Sequence, residues 1–350
     1  MKIALTSCAD PKDAPIQPVW QQIATHHPDH LLLLGDQIYM DYGGFSKNFK
    51  LGEPADDSKV SDQRFAHEMH ERYEAQWNIM RKSGLFDSVN MKIHGIWDDH
   101  DFGSNNACGI GAVGDPLFLS KVKQRISRRL FRDFFNSLKA TSYPANPFPN
   151  GVPDLVEQMD KPLFHSSTIP FADWPALGEV SIGDHVSLFL LDGRSFRRTD
   201  KGAMIGAAQM SQLQATMRTG RINLVASGVT LEGAKESWDQ YGAENSQLLA
   251  LANQSNMKVL MLAGDIHNTD FRSKRKPFEV IASGAARPFG NAFRPDSGNF
   301  GIIDVNNAPD QITIDLFEAL DHRRFETTIN AQTWSATGKV RFAPTLMESY

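Results

Sequence analysis

Four short apolar runs in this chain stop abruptly at residue types able to bind metal ions. Lys2–Ser7 ends at Cys8, and His30–Leu34 runs into Gly35-Asp36-Gln37-Ile38-Tyr39. Met91–Trp97 runs into Asp98-Asp99-His100-Asp101, and Lys258–Ala263 into Gly264-Asp265-Ile266-His267. A run as continuously apolar as Leu31–Leu34 marks a strand covered on both faces, the situation of a parallel sheet between other layers. Such sheets gather their chemistry beyond the carboxyl ends of their strands. One acidic ending is an ordinary turn capping the next helix; four at comparable positions converge on one sheet edge. The fold expected is therefore α/β, with the site at the strand C-terminal ends.

The rest of the chain fits that frame. Helices are expected over Pro18–His26, Ser61–Gly84, Phe118–Leu138, Gly206–Gly220 and Asn245–Gln254. In Ser61–Gly84 the buried stripe is Phe65, Met69, Tyr73, Trp77 and Met80, recurring at three or four residues. Lys121, Arg125, Arg128 and Arg132 read as a solvated charged face. A hairpin is expected over Gly178–Leu191, turning at Gly183-Asp184, with further strands at Ile222–Ser227, Phe278–Ser283, Phe300–Val305 and Gln311–Glu318. Gly43–Asp62 reads as a long loop and Tyr143–Pro175 as mostly irregular; Gly284–Gly298 is a loop holding Arg287 and Arg294, Arg287 being either the wall of a substrate pocket or, as is usual for a loop arginine, solvated. The tail beyond about 320 is β-rich without an assigned place. Strands and helices alternate with no break in composition, so residues 1–350 are expected to form a single domain.

The chain has 350 residues, 41% of them hydrophobic, and a net charge of −5 with both signs interspersed. That balance does not fit a dedicated nucleic-acid binder, so nucleic acid is expected only as a substrate. Two cysteines, Cys8 and Cys108, exclude a disulfide framework and suit a reducing compartment. Met1–Ser7 meets Cys8, Asp10 and Lys12 before a signal-length apolar core develops, and no run of about 18 apolar residues occurs. No membrane span and a cytoplasmic location are the expectations. Oligomeric state is left open.

The donor types define the chemistry. Three adjacent carboxylates and an imidazole repel one another unless a cation sits among them. Thiolate, phenolate and imidazole suit a transition metal, phenolate especially ferric iron; carboxylate and amide oxygens suit Ca²⁺, Mg²⁺ or Mn²⁺. The mixture argues for unlike ions side by side, able to clamp a phosphate and acidify a water. His100, flanked by carboxylates, is a candidate to protonate a leaving oxygen. Arg194, at another strand end, is a candidate fork for phosphate oxygens. Asp98 reads as a structural hydrogen-bond acceptor, and Asp192 is ambiguous between that and a ligand. Cys108 is given no role, and His26, His27, His67 and His70 read as surface residues.

In order along the chain, Ser7-Cys8, Gly35-Asp36-Gln37-Ile38-Tyr39, Trp97-Asp98-Asp99-His100-Asp101, Leu191-Asp192-Gly193-Arg194 and Gly264-Asp265-Ile266-His267 resemble the motifs of the PhoD-type alkaline phosphatases of the calcineurin-like metallophosphoesterase superfamily. Ser297-Gly298-Asn299-Phe300-Gly301 is similar too. The resemblance implies a four-layer α/β/β/α sandwich. It implies Cys8, Tyr39 and His267 as iron ligands and Asp36 as a bridging carboxylate. Asp99 falls where the wider superfamily has a metal-binding Asn, and His100 matches the histidine that assists the leaving group. Asp265 resembles a ligand of the second metal region, calcium in this family, Asn105 falls near a further calcium ligand, and Arg194 matches an arginine near bound phosphate. Fe³⁺ and Ca²⁺ are thus the implied cofactors, with Mn²⁺ or Zn²⁺ as the alternative. Two features depart from the family: PhoD-type enzymes are usually exported, often with an N-terminal β domain, and Asp101 stands where many have Glu.

The function expected is a metal-dependent phosphoesterase acting on small phosphate monoesters or diesters by in-line attack of a metal-bound hydroxide, with His100 assisting departure. One rival is a non-catalytic metal- or phosphate-binding regulatory protein on the same fold. The other is a thiol hydrolase with Cys8 as nucleophile and His100 as base.

Overall fold

The computed structural model describes residues 1–41, 59–87, 90–149, 151, 159–286, 298–308, 310–318 and 323–341. Arg287, Arg294 and nearly all of the expected 43–62 loop lie outside them. Along the chain come β1 (Lys2–Thr6), α1 (Val19–Thr25), β2 (His30–Leu34), α2 (Asp62–Lys82), β3 (Lys92–Ile96), α3 (Asp99–Phe102), α4 (Lys121–Ser137) and β4 (Phe164–Ser166). Then follow β5 (Gly178–Ile182), β6 (Val186–Leu190), α5 (Gly206–Thr216), β7 (Ile222–Ser227), α6 (Gly242–Ala252) and β8 (Lys258–Ala263). The last are β9 (Thr269–Arg272), β10 (Phe278–Ala282), β11 (Asn299–Asp304), β12 (Gln311–Glu318), β13 (Arg323–Asn330) and β14 (Ser335–Arg341).

The strands form two sheets. The first runs β14-β13-β12-β11-β1-β2-β3-β4, the second β5-β6-β7-β8-β10-β9. β1, β2 and β3 are parallel, with β11 and β4 added antiparallel on either side. In the second sheet β6, β7, β8 and β10 are parallel, between antiparallel β5 and β9. The β-rich tail thus finds its place as β13 and β14, extending the first sheet.

Alternation along the second sheet sorts the layers. Leu188, Leu190, Leu224, Ala226, Leu260 and Leu262 join one core cluster with Leu31–Leu34 of β2. Phe189, Val225, Val259 and Met261 join another with Met210 and Leu213 of α5 and Leu248 and Leu251 of α6. One face of this sheet therefore meets the first sheet and the other meets helices. On the first sheet, α2 supplies Phe65, Met69, Tyr73 and Met80, and α4 supplies Ile126, Leu130, Phe131 and Phe134, all buried. The architecture is the expected α/β/β/α sandwich.

Local signals explain most element ends. Ser61 caps α2 by accepting a hydrogen bond from the Arg64 N–H, and Gly84 follows in the left-handed region at φ +77°. The second long helix starts three residues later than its pattern predicts, capped by Ser120. The preceding residues are held elsewhere: Cys108 N–H donates to Leu117 O and Leu119 N–H to Cys108 O. Two surface expectations are corrected. Arg128 is buried, donating to Ser195 Oγ at 3.0 Å and Lys161 O at 2.7 Å, with its guanidinium 5.9 Å from the Trp97 ring centroid. His70 is buried too, its Nε2 bonded to Pro144 O at 3.1 Å. Among the described residues no helix is long and apolar enough to cross a membrane.

Candidate metal centre

The registers bring the strand ends level. Thr6 pairs with Leu33 and Leu34 with Ile96, so β1, β2 and β3 deliver Cys8, Asp36 and Asp99 to one edge. Across the sandwich β8 delivers Asp265 and His267, and β6 delivers Asp192 and Arg194. The turns are tight. Gly35, at φ +98°, lies where a Cβ would sit 2.5 Å from Asp98 Cβ, and a Cβ on Gly228 would meet Asp98 Oδ1 at the same distance. Only glycine permits these approaches, the first between neighbouring strand ends of one sheet and the second between the two sheets. Of the nine described non-glycine residues with positive φ, four are Cys8 (62°), Asp36 (55°), Asp265 (72°) and His267 (55°). That conformation costs of order 1–3 kcal/mol per residue and clusters at sites where function demands it.

Cys8, Asp36, Tyr39 and His267 form one connected group. Cys8 Sγ lies 3.6 Å from Asp36 Oδ2, Tyr39 Oη lies 3.4 Å from that oxygen, and Tyr39 Oη is 2.8 Å from His267 Nε2. Cys8, Asp36 and Tyr39 are buried and His267 is partly exposed. Asp36 also belongs to a second group: ligand atoms of Asp36, Asp99 and His100 all lie within 4.8 Å of one another. Its carboxylate therefore belongs to both groups. Burial, then the neighbouring Asp99, Cys8, Asp98 and Asp101, push its carboxyl well above the usual range.

His100 sits among acids. Its Nδ1 is 2.7 Å from Asp41 Oδ1, its Nε2 is 3.9 Å from Asp99 Oδ2, and its N–H donates to Asp36 Oδ1 at 3.3 Å. Burial alone would lower its pKa, but Asp99 and Asp41 outweigh that and push it up to about 9. Burial likewise works against Asp99, yet His100, Arg194 and the Asn106 N–H hold it below the usual carboxylate range. Arg194 is fully buried. Its Nε donates to Asp98 Oδ1 at 2.6 Å, its Nη1 is 2.7 Å from Glu236 Oε2, and its Nη2 is 3.6 Å from Asp99 Oδ1. Arg197 shares Glu236 at 2.9 Å. Burial pushes the Glu236 carboxyl up to about 7 against the pull of both arginines.

Asp98 and Asp192 both accept hydrogen bonds from the surrounding structure. Asp98 caps α3 and pairs with Arg194. Asp192 accepts from Trp97 Nε1 at 2.7 Å and from the N–H groups of Leu163, Arg194 and Ser195. Asp101 clamps the turn, accepting from the Gln37 and Asp98 N–H groups and the Tyr73 hydroxyl. Asp265 points no hydrogen bond at a neighbour among the described residues; burial, then Glu236, Asp98 and Asp99, push its carboxyl well up. Asn105 is exposed and reaches the cluster only through its backbone, donating to Asp41 Oδ2 at 2.9 Å. The structure therefore gathers Cys8, Asp36, Tyr39, Asp99, His100, Asp265, His267 and Arg194, and leaves the Asn105 side chain at the rim. Asp41 and Glu236 were missed.

The residues present fit bound cations. Asp99 Oδ1 is buried with no hydrogen-bond partner, and so is Asp98 Oδ2. Several carboxylates crowd one another, with Arg194, Arg197 and His100 as countercharge among the described residues. The donor set, thiol, phenol, imidazole and carboxylates, suits metals of two kinds.

No protein-family model matches the chain. No curated protein matches it either. Among solved structures, a dimetal phosphatase from Danio rerio superposes over 95% of this chain and 99% of its own, with a TM-score of 0.50 at 11% identity. The fold is metallophosphoesterase-like. Zinc-bound Vps29 from Entamoeba histolytica aligns more distantly, with a TM-score of 0.36 and 8% identity over 95% of this chain and 99% of its own. Within the metallophosphoesterase-like fold, the cluster occupies the edge where strands from both sheets end.

Proposed function

We propose that the chain is a metal-dependent phosphoesterase of PhoD type, with Fe³⁺ held by Cys8, Tyr39 and His267 and Ca²⁺ by Asp99 and Asp265, Asp36 lying between them. Asn105 is a further calcium ligand only if its side chain turns inward from the rim. The observation that supports this reading is the meeting of Cys8, Asp36, Tyr39 and His267 in one connected group at the ends of strands from both sheets. When bound, such cations neutralise phosphate oxygens and make a water molecule acidic enough to attack at neutral pH. The protein's own groups do the rest. His100, kept cationic by Asp99 and Asp41, is the proton donor to the departing alkoxide. Asp41 fixes the ring by holding Nδ1–H, which leaves Nε2 to face the reacting oxygen. Arg194 neutralises Asp98 and Asp99 from below, and its Nη2, without a hydrogen-bond partner, is the atom left for a phosphate oxygen. Small phosphate monoesters and diesters are the substrate class.

The thiol-hydrolase reading loses ground because Cys8 Sγ bonds Ser7, Ser283 and Asp36 and no contact joins it to His100 among the described residues. The test is hydrolysis of p-nitrophenyl phosphate and bis(p-nitrophenyl) phosphate by the chain loaded with iron and calcium, and separately with manganese or zinc. Turnover in His100→Ala is expected to fall by on the order of 10²–10⁴-fold with metal content near wild type. Loss of metal in that variant would make His100 a ligand instead. No hydrolysis with any of these metals would favour the non-catalytic binding protein.

A further inference from the structure

Cys8 Sγ is fully buried, and beside its contact to Asp36 it lies 3.3 Å from Ser7 Oγ and 3.2 Å from Ser283 Oγ. The two hydroxyls are not equivalent. Ser7 Oγ has a second acceptor, Ala282 O at 3.5 Å. Ser283 Oγ already accepts the His267 N–H at 2.9 Å, and it too is fully buried. A hydroxyl has one proton to give. Among the described residues the acceptor within reach of the Ser283 proton is Cys8 Sγ. A buried hydroxyl left without an acceptor would cost about 1–3 kcal/mol, so the proton goes to sulfur. A cysteine bound to a metal is a thiolate, with no proton of its own to offer, which settles the direction of the bond.

The serine is also held in place. It closes β10, and its carbonyl accepts from Asn299 Nδ2 at 3.1 Å. The N–H groups of Gly284 and Ala285 donate to Ser7 O, and that of Ala286 to Cys8 O. One turn thus wraps the backbone of Cys8 while its first side chain touches the sulfur and the backbone of His267. Cys8 and His267 come from different sheets, and Ser283 bonds to both.

We propose that Ser283 is a positioning residue that tunes the Cys8 thiolate: by donating its hydroxyl proton to Sγ it withdraws electron density from the sulfur, and by accepting the His267 N–H it fixes the distance between two ligands. This rests on the reading of Cys8 and His267 as ligands of one metal. A hydrogen bond to a ligating sulfur makes it a poorer donor, which raises the reduction potential of the iron it binds. It also orients the ligand, and losing such support typically costs about 10–100-fold in metal affinity.

The experiment compares the full chain with Ser283→Ala and Ser283→Thr after loading with Fe³⁺ and, in parallel, with Co²⁺ as a spectroscopic probe. In Ser283→Ala the sulfur-to-metal absorption band is expected to move to lower energy, the iron reduction potential to fall, and iron affinity to drop by about 10–100-fold. Ser283→Thr, which keeps the hydroxyl, is expected to restore all three. A band that stays in place in Ser283→Ala overturns the proposal while leaving Cys8 as a ligand. Absence of any sulfur-to-metal band in the wild-type chain with either ion overturns the ligand reading and the proposal together. Should Ser283→Ala not fold, the iron–sulfur vibration of a Ser7→Ala chain carries the same test. A shift on exchange into D₂O is expected from the remaining Ser283 proton, and no shift overturns the proposal.

Discussion

At the scale of single residues the cluster works by charge held against burial. His100 is cationic because Asp41 and Asp99 flank it, so the Asp41 carboxylate is as much a part of its chemistry as the ring. Asp41→Asn keeps the shape and removes the charge. It is expected to lower kcat by about 10–100-fold, with KM and metal content near wild type, and Asp41→Glu to recover part of the loss. Arg194 carries a different burden. Removing it takes the countercharge from Asp98 and leaves Glu236 with Arg197 alone in a dry interior, so Arg194→Met is expected to cost about 3–5 kcal/mol in urea unfolding. Adding Glu236→Gln to that variant is expected to recover part of the cost, because a buried acid that has lost one of its two arginines is gone. Cys8, Asp36, Asp99, Asp265 and His267 were legible in the sequence because each follows an apolar strand at a fixed short distance. Asp41 and Glu236 were not. Asp41 lies past the strand-end motif, and Glu236 sits in a connection after Ser227 whose path no periodicity reveals. Asn105 is exposed, and the next residue, Asn106, takes φ +63° and gives its N–H to Asp99.

At the scale of elements, β2, β3 and β4 carry a buried histidine group remote from the charged edge. His30 Nδ1 is 2.9 Å from His94 Nε2, and His94 Nδ1 is 3.1 Å from Ser166 Oγ. His165 stacks on Phe135 at 4.9 Å between centroids. Burial pushes His165 down to about 4, and burial with Lys92 nearby does the same to His30. The sign follows from the unfolded chain, whose histidines titrate near 6.5. Above that pH both states are neutral and the rings contribute nothing. As pH falls from 6.5 towards 4 the unfolded chain takes up protons that the native rings refuse, so stability is lost. His165→Phe removes one such ring. Relative to wild type it is expected to gain about 2 kcal/mol between pH 7 and pH 5, read from urea midpoints at the two pH values. A constant difference between the two proteins would show that His165 titrates normally. Strands such as β7 and β8 match their predicted limits because a covered strand must be apolar along its length. β4 and β9 escaped notice because they are short antiparallel edges, and Thr269-Asp270-Phe271-Arg272 offers only one apolar side chain to the core.

At the scale of the whole molecule, the first and second sheets share one core cluster, and the proposed ligands come from both. The single-domain expectation therefore predicts one cooperative thermal transition, and a two-step transition would contradict it. A cation that binds only the folded chain adds about 2.7 kcal/mol at a hundredfold excess over its Kd. Chelator is accordingly expected to lower Tm and added iron and calcium to restore it. An unchanged Tm would count against any site that draws on both sheets. The order of strands in the first sheet sets a timetable as well. β1, which leads to Cys8, lies between β2 and β11, and β11 begins at Asn299. On the ribosome Cys8 emerges about 290 residues before that partner, or about 15–60 s earlier at 5–20 residues per second. Ser283 and His267 also arrive late. In the interval the nascent chain carries an open thiol on a half-paired strand, and the centre closes only after β8, β10 and β11 have been made.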